Sequence, residues 1–515
     1  MSDAVAPATT NTFLGHPRGL VILFFAEMWE RFSFYGMRGL LIFYLTQHFL
    51  FGDAVASGIY ASYGALVYLM PLIGGLIADR YLGFRKAVTF GAILLCIGHF
   101  GMAIEGDAAQ ATGGVVQRDA VSLQIFYASL AFIIIGVGFL KPSISSIVGQ
   151  LYGKDDPRRD GGFTFFYMGI NLGAMLAALI VGYLGQTFGW AYGFGLAGVG
   201  MLAGLITFVR GQHLFDDAGL PNHPARLREV VFAGLTRERL IYGAALLGVV
   251  GAWQLMQWHE IVGDLLIVAA VVTVVGVIGF AVLRLEPVDR DRLLVVLFLT
   301  SVSVVFWAFF EQAGSSMNLF TERNVDRHVF GFDFQASQFQ ALNSAFIILL
   351  APIFSWLWVV LARRRLEPST PAKFGLGVVQ VGLGFAALVY GAQHADANGM
   401  VAAGWIALAY LLHTTGELCL SPVGLSMVTK LSVPRVVGLM MGVWFLSSAF
   451  AHYVGGVIAA GASVVEEPGA VVGAAQSLAI YASTFGFVAW VAVGVGGAVL
   501  LVSPVVKRFM HEATR

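Results

Sequence analysis

The chain has 515 residues, of which 58% are hydrophobic and only 12% are charged. A soluble protein of this length needs more polar side chains to cover its surface, so the composition excludes an ordinary soluble enzyme and indicates an integral membrane protein. Thirty Lys and Arg balance thirty Asp and Glu. The chain has no basic tail and no basic run interleaved with aromatic residues, so nucleic acid is not expected as a partner.

Neither the two cysteines nor the first residues match the pattern of a secreted protein. Cys96 and Cys419 lie far apart in apolar runs and predict packing residues rather than a disulfide or a metal site. The first 16 residues contain no Lys or Arg and make a poor signal peptide. They are better interpreted as a short cytoplasmic tail.

Continuous apolar segments indicate an all-α protein, because strands that cross a membrane alternate apolar and polar positions. A helix that crosses the hydrocarbon core needs roughly 20 mostly apolar residues. Fourteen segments meet this need: 19–50, 57–79, 86–104, 121–152, 162–187, 191–209, 240–257, 262–283, 293–320, 336–362, 374–392, 400–430, 436–462 and 476–506.

The distribution of basic residues predicts the orientation. Of the 30 Lys and Arg, 24 fall on the side of the two termini, and only Arg118, Arg323 and Arg327 fall on the other side. Cytoplasmic loops carry the excess of positive charge. We therefore expect a multi-pass protein of the cell membrane with both termini in the cytoplasm.

Two halves of the chain resemble one another. The segments LKPSISSIVGQL (140–151) and LSPVGLSMVTKL (420–431) share five residues at a shift of 280, and Pro71 with Pro352 and Glu30 with Glu311 repeat at a shift of 281. Six spans then fall in each half, and spans seven and eight form an inserted hairpin. Two related six-helix bundles are typical of the major facilitator architecture. The predicted domains are 1–210, 211–291 (linker and hairpin) and 292–515.

The segment GGLIADRYLGFRK (74–86) lies between the second and third spans. Gly75, Asp79, Arg80 and Gly83 follow the order of a cytoplasmic gating motif, in which Asp79 and Arg80 pair in one conformation and separate in another. The alternative is a simple polar loop with the usual cytoplasmic positive charge.

The first span carries ionisable residues that are costly inside a membrane and therefore are candidates for function. On a helix they fall within an arc of about 140°: Glu27, Glu30, Arg31, Tyr35 and Arg38. Carboxylates beside cations suit proton coupling, because their proton affinity changes when the neighbours move. The alternative is an internally satisfied set of salt bridges that holds helices together.

Three other spans contain charges. Lys141 in the fourth span needs an anionic partner, for which the first-span carboxylates are the expected source, unless its side chain extends to the membrane surface. Glu311 follows Trp307 by one turn, and Glu417 precedes Ser421 by one turn. Small polar neighbours in TTGEL could instead satisfy Glu417 in a helix contact.

Other polar or aromatic positions in the spans are, taken singly, typical of helix packing. They are Tyr68, Tyr167, Asn171, Asn343, Trp444 and Ser448.

The motifs resemble those of the proton-dependent oligopeptide transporter family, the peptide transporters of the major facilitator superfamily. EMWERFSFYG (27–36) is similar to the first-helix signature ExxERFxYYG of that family, and FYMGINLGA (166–174) is similar to the fifth-helix signature FYxxINxG. GFLKPSIS, FWAFFEQAGSS and GELCLSPVGLS resemble the motifs of its fourth, seventh and tenth helices. The inserted hairpin is a feature of bacterial members. Phe34 departs from the signature, which has Tyr there.

The resemblance implies a symporter that imports di- and tripeptides with protons by alternating access, with no other cofactor and no metal. The implied proton-coupling residues are Glu27, Glu30, Arg31, Lys141 and Glu311. Glu311 would be a protonatable partner of Arg38 and would release it for the substrate.

The implied substrate-binding residues are Tyr35, Arg38, Tyr68, Lys141, Tyr167, Asn171, Trp307, Asn343, Glu417, Ser421 and Trp444. Arg38 and Lys141 would receive the peptide carboxylate. Glu417, with the amides of Asn171 and Asn343, would hold the peptide amino group, and the aromatic residues would line side-chain pockets. The lipid bilayer is the only other partner expected, and no obligate protein partner is evident.

Three alternatives remain. A transporter of the same fold could carry nitrate, a drug or another organic anion, although nitrate has no amine that needs Glu417. An intramembrane enzyme is disfavoured, because the sequence has no HExxH or GxSxG motif and no evident Ser–Lys or Ser–His dyad. An ion channel would need a pore-lining ring or filter, which the two-half repeat does not suggest.

Overall fold

The computed structural model describes residues 12–112, 115–153, 156–433, 435–465 and 472–511. Lys154 and Arg515, which contribute to the predicted charge bias, lie outside these ranges. Within them the chain forms long helices that we number α1 to α14: Arg18–Phe43, Asp53–Leu82, Phe84–Met102, Ala120–Gln150, Arg159–Phe188, Trp190–Phe215, Arg237–Gln257, His259–Arg284, Pro287–Asn324, Ala336–Arg363, Thr370–Gln393, Ala403–Leu431, Val437–Gly461 and Ala474–Phe509.

Several helices contain or end in a turn of different pitch. A wider turn continues α1 over Tyr44–His48, and similar turns occupy Ala78–Leu82 in α2 and Ala177–Val181 in α5. Tighter turns occur at Gln212–Phe215 in α6, Glu311–Gly314 in α9 and Ala336–Gln340 in α10. Such departures from regular α geometry are frequent at functional positions.

Thirteen of these helices are long and apolar enough to cross a membrane, and α1 is the exception. The α1 helix carries Glu27, Glu30 and Arg31 near its middle. The exception is therefore the helix that holds the predicted charged stripe. The prediction of an all-α protein of the membrane is confirmed, and each predicted span coincides with one helix.

Prolines at equivalent places support the predicted repeat. Pro71 lies inside α2 and Pro352 inside α10, whereas Pro142 lies inside α4 and Pro422 inside α12. Proline inside a helix removes a hydrogen bond and tends to kink it. The second and fourth helices of each predicted half thus carry the same local irregularity.

The connections contain short strands of two or three residues. Four antiparallel pairs and one parallel pair are formed in the described ranges: Thr12–Phe13 with His16–Pro17, Gln110–Thr112 with Val115–Gln117, Val230–Phe232 with Leu235–Thr236, His328–Val329 with Phe332–Asp333, and Val325–Asp326 with Val401–Ala402. A short helix, Pro224–Arg228, lies between α6 and α7.

The chain divides into two compact units. Unit 1 comprises 1–40, 69–106 and 120–256, and unit 2 comprises 41–68, 107–119 and 257–515. In unit 1, α3 packs against α4 and α6. In unit 2, α11 packs against α12 and α14, and buried aromatic rings from α9, α11 and α14 form much of the core. The domain limits expected from the sequence stay a prediction.

The predicted hairpin is present as α7 and α8, and its two helices belong to different units. In unit 1, Glu238 of α7 pairs with Lys86 at 2.6 Å, and Trp253 donates to the Gln124 side chain at 3.0 Å. In unit 2, Ser62 donates to the carbonyl of His259 at the start of α8. Many other side chains of the hairpin, chiefly on α8, are apolar and exposed, which suits contact with lipid.

Candidate functional site

A buried ion cluster occupies the middle of α1 in unit 1. Nε of Arg31 donates to Oε1 of Glu27 at 2.8 Å and lies 2.9 Å from Oε2 of Glu30. The three side chains are at most 5% exposed. Spacings of three and four residues place them on one face of the helix, as the sequence predicts. Two carboxylates therefore share one guanidinium away from water.

Neighbouring groups add a second cation and an aromatic surface. Lys141 of α4 lies near enough to interact electrostatically with Glu30, which balances the two carboxylates with two cations. Tyr35 interacts with Arg31 in the same way. The guanidinium carbon of Arg31 lies 5.8 Å from the ring centroid of Phe34, within the range of a cation–π contact. Phe34, the departure from the family signature, thus still contributes to the cluster.

The other residues of unit 1 that the sequence implies in substrate binding are Arg38 on α1 and two residues of α5. Arg38 is half-buried on α1. Asn171 is buried, and its amide nitrogen donates to the carbonyl of Tyr167 at 3.1 Å, while the Tyr167 side chain is 41% exposed. The side-chain carbonyl of Asn171 is the atom that could accept from an ammonium group.

A carboxylate–amide cluster occupies α10 and α12 in unit 2. The amide nitrogen of Asn343 donates to Oε2 of Glu417 at 3.2 Å and to the Thr414 hydroxyl at 3.0 Å. Thr414 in turn donates to the carbonyl of Tyr410. The structure thus brings together two residues that the sequence nominates for one task, and Asn343 holds the half-buried Glu417 in place.

Glu311 of unit 2 has a neighbour that the sequence analysis missed. Nε2 of His452 on α13 lies 3.7 Å from Oε1 of Glu311, and both side chains are at most 9% exposed. The ring of Tyr68 lies against His452, with centroids 4.6 Å apart. The signal was available, because an ionisable residue inside an apolar span is itself a functional candidate.

The remaining predicted residues of unit 2 lie on α9, α12 and α13. Trp307 makes edge contacts with Phe306 and Phe310 at 5.1 and 5.2 Å between ring centroids. The ring of Trp444 packs on Gly424 of α12. Ser421 is half-buried on α12. Ser448 donates to the carbonyl of Trp444 in its own helix, as expected of a packing residue.

The predicted gating motif (74–86) is mostly helix, because α2 extends three residues beyond the predicted span 57–79. The α2 helix continues through Asp79 and Arg80 to Leu82, and only Gly83 separates it from α3. Gly83 has φ +77°, and a Cβ there would lie 2.6 Å from the backbone nitrogen of Pro221. The turn therefore requires glycine.

Asp79 and Arg80 make different contacts from the predicted pair. The Asp79 carbonyl accepts from Asn222 at 3.3 Å, and the Arg80 guanidinium carbon lies 5.6 Å from the Tyr81 ring centroid. Neither side chain forms an ion pair with any described residue. Their role as a gate stays a prediction, since the pair is expected in one conformation only.

A second polar cluster that the sequence analysis missed fastens the start of α2 in unit 2. Asp53 is 1% exposed and accepts two hydrogen bonds from Arg323 at 2.6 and 2.9 Å. Its Oδ2 also accepts from the backbone nitrogens of Val464 and Val465 at 2.9 and 3.1 Å. Arg323 donates further to the Tyr481 hydroxyl at 3.0 Å. One carboxylate thus joins α2, α9 and the segment after α13.

Among the described residues, no group of three or more His, Cys, Asp or Glu side chains is arranged to hold a metal ion. The clusters are instead sets of a few charges and amides. Such sets can bind an ionic solute and can take up or release protons.

Comparisons with known proteins give the family. Residues 85–475 match the POT family. The chain is 38% identical over 506 residues to an uncharacterized transporter, YclF, of Bacillus subtilis strain 168, covering 97% of this chain and 96% of the relative. It is also 38% identical over 465 residues to the peptide transporter YePEPT of Yersinia enterocolitica, covering 87% and 88% of the two chains.

Solved structures agree with the sequence matches. A crystal structure of the peptide transporter POT in complex with sulfate superposes with a TM-score of 0.80 at 34% identity and covers 97% of both chains. A POT family transporter in complex with 5-aminolevulinic acid superposes with a TM-score of 0.79 at 30% identity, covering 96% of this chain and 98% of that one. The major facilitator fold predicted from the repeat is confirmed, and the chain belongs to the POT family.

Proposed function

We propose that this protein is a proton-coupled symporter that imports di- and tripeptides by alternating access, without a catalytic site and with protons as its only coupling species. Its relatives include di-/tripeptide transporters of Lactococcus lactis, 35% and 36% identical over 460 residues. The observation that carries the proposal is that one POT family chain has cations within the helices of unit 1 and a carboxylate–amide cluster within the helices of unit 2. Unit 1 provides Arg38 and Lys141, and unit 2 provides Glu417 with Asn343.

The substrate is a zwitterion with a nearly fixed distance between its charged ends. Its carboxylate binds Arg38 and Lys141, and its amino group binds Glu417. The carbonyl oxygens of Asn343 and Asn171 accept the remaining ammonium hydrogens. Hydrogen bonds between such ionised groups are the strong ones, and they supply the affinity.

Aromatic residues form the side-chain pockets. Aromatic rings provide large apolar contact areas that tolerate many side chains. The proposed set is Tyr35, Tyr68, Tyr167, Trp307 and Trp444, with Ser421 as a further polar contact.

Proton coupling uses the buried charges of α1, α4 and α9. When Glu27 or Glu30 binds a proton, Lys141 loses an anionic partner and becomes available to the substrate carboxylate. Protonation of Glu311 releases Arg38 in the same way. Proton binding and peptide binding therefore favour one another, as linkage requires.

The protein resides in the cell membrane with both termini in the cytoplasm, which the bias of Lys and Arg supports. Asp79 and Arg80 then lie on the cytoplasmic side and form the gate. In this orientation an inward proton gradient drives uptake. Nitrate is disfavoured as a substrate because a buried carboxylate such as Glu417 would repel it.

The first experiment is uptake of labelled dialanine into proteoliposomes, with and without an inward proton gradient. We expect the gradient to accelerate uptake by the wild type. Glu417→Ala should weaken the apparent affinity roughly 10- to 100-fold, because a hydrogen bond to a charged group contributes about 1.5–3 kcal/mol. Glu260→Gln, at an exposed position on α8, is the matched control and should behave like the wild type.

A chemical control separates a lost ammonium contact from general damage. N-acetyl-dialanine has no ammonium group, so Glu417→Ala and the wild type should handle it equally. If the wild type ignores dialanine across a range of pH and membrane potential, peptide is not the substrate. The family assignment would stand, and other anions would need to be tested.

A further inference from the structure

We propose that His452 is a second proton-binding residue of the transport cycle and exchanges its proton with Glu311. The inference rests on the proposed function and extends it, because neither the family signatures nor the sequence analysis assigned His452 a role. It is based on the positions of Glu311 and His452 relative to each other in unit 2.

The two groups meet in a place from which bulk water is excluded. Nε2 of His452 lies 3.7 Å from Oε1 of Glu311, with side chains 5% and 9% exposed. Glu311 is the residue at which α9 changes to a tighter turn, Glu311–Gly314. A tighter turn inside a helix has poorer hydrogen-bond geometry than the regular α-helix and often marks a hinge.

The imidazole ring is held in a defined orientation. Its face is covered by Tyr68, with ring centroids 4.6 Å apart. The other ring nitrogen, Nδ1, faces Gly64 of α2. A Cβ on residue 64 would lie only 2.7 Å from Nδ1, so α2 can approach the ring because residue 64 is glycine. With this edge packed against α2, Nε2 is the nitrogen that faces the carboxylate.

The distance between Nε2 of His452 and Oε1 of Glu311 suits a contact that forms for proton transfer in one step of the cycle and separates in another. At 3.7 Å the atoms are within ion-pair distance and roughly 0.8 Å beyond a direct N–H···O hydrogen bond. Transfer breaks the O–H bond of protonated Glu311 and forms an N–H bond at Nε2, leaving a carboxylate beside an imidazolium. The reverse step restores two neutral groups, so the total charge of the pair is conserved.

In unit 2, Glu311 from α9 and Tyr68 from α2 both lie against His452. On α13 itself, the neighbouring Tyr453 packs on Gly263 of α8. Imidazole changes charge near neutral pH, unlike tyrosine. His452 is therefore the group of this set that can exchange a proton with Glu311 under physiological conditions.

Another buried histidine of unit 2 provides a matched comparison. His413 on α12 lies between aromatic rings, with centroids 5.0 Å from Phe385 and 6.2 Å from Phe310. It is 1% exposed and forms no ion pair with a described residue. His413 resembles His452 in burial and differs in having no carboxylate within ion-pair distance among the described residues.

The primary test is infrared difference spectroscopy of the purified protein during a pH titration. The carboxyl band that disappears in Glu311→Gln reports Glu311. In His452→Gln, this band should reach half-titration at a pH higher by about one unit, a tenfold change in proton affinity, because the neighbouring cation is gone. His413→Gln should leave the band unchanged. An unshifted band in folded His452→Gln, or an equal shift in His413→Gln, would overturn the proposal.

Transport gives the second readout. The ratio of gradient-driven uptake to counterflow of dialanine should fall roughly tenfold in His452→Gln, since typical couplings between sites lie in the range of about 5- to 150-fold. A purely structural role would lower both rates together and leave the ratio unchanged, which would contradict the proposal. A wild type that fails to carry dialanine in either mode would refute the proposed function, and the carboxyl titration would still decide the role of His452.

Discussion

Replacing Arg31 by methionine is expected to abolish proton-driven uptake and to lower the free energy of unfolding by about 3–5 kcal/mol, the usual cost of removing one partner from a buried ion pair. The reason is geometric. Arg31 Nε is 2.8 and 2.9 Å from the carboxylates of Glu27 and Glu30, and all three side chains are buried. Without the guanidinium, two like charges would face each other with only Lys141 to offset them.

The thermal midpoint in detergent and the uptake rate in proteoliposomes measure the two effects. Arg158→Met is the matched control, because Arg158 pairs with Asp156 in an exposed loop and exposed pairs contribute little. Adding Glu30→Gln to Arg31→Met should recover part of the lost stability and none of the coupled transport. If Arg31→Met retains the wild-type midpoint and coupling, the cluster is neither a structural nor a coupling element.

The sequence predicts the helices well because a membrane leaves few alternatives. Backbone groups in hydrocarbon must bond within their own segment, so each long apolar run becomes a helix. The relation between the two halves is also visible in single residues. Pro71 and Pro352 each lie inside the second helix of a predicted half. The predicted second span ends at residue 79, whereas α2 continues to Leu82, because charged residues near a helix end do not by themselves terminate the helix.

The α1 cluster could be predicted for a similar reason. Glu30 and Arg31 follow Glu27 by three and four residues, so helical geometry alone makes both of them neighbours of Glu27. The pair of Asn343 and Glu417 is different, because it joins α10 to α12. Its members could be nominated one by one, but their contact depends on how the helices pack.

The Asp53–Arg323 contact and the Glu311–His452 contact could not be predicted from the sequence, because the partners in each are far apart in the chain. Asp53 and Arg323 are separated by 270 residues, and each looks like a charge at a helix end. His452 stands alone on an apolar helix, where a histidine is more often a packing residue. Only packing reveals that each has an oppositely charged or protonatable neighbour.

Replacing Asp53 by alanine is expected to loosen the start of α2 and to expose residues that are buried beneath it. The carboxylate accepts two bonds from Arg323 and two from the backbone at Val464 and Val465. Loss of charge-assisted bonds, each contributing about 1.5–3 kcal/mol, should increase the opened population at least roughly tenfold. The charge bias of the sequence predicts that this end faces the outside.

Labelling of a single cysteine measures that population. Ser57→Cys is nearly isosteric at a position 1% exposed, in a background where Cys96 and Cys419 are alanine. A membrane-impermeant maleimide added outside should label it slowly, and at least about tenfold faster when Asp53→Ala is added.

Two further variants decide whether the Asp53 cluster itself is responsible. Arg323→Gln should accelerate labelling as Asp53→Ala does, because the two side chains share the same two bonds. Asp396→Ala, which disturbs only an exposed turn where Asp396 accepts from Asn398 and Met400, should not change the rate. Equal labelling rates in all variants would show that α2 is held by apolar packing, and that the Asp53 cluster does not control access from this side.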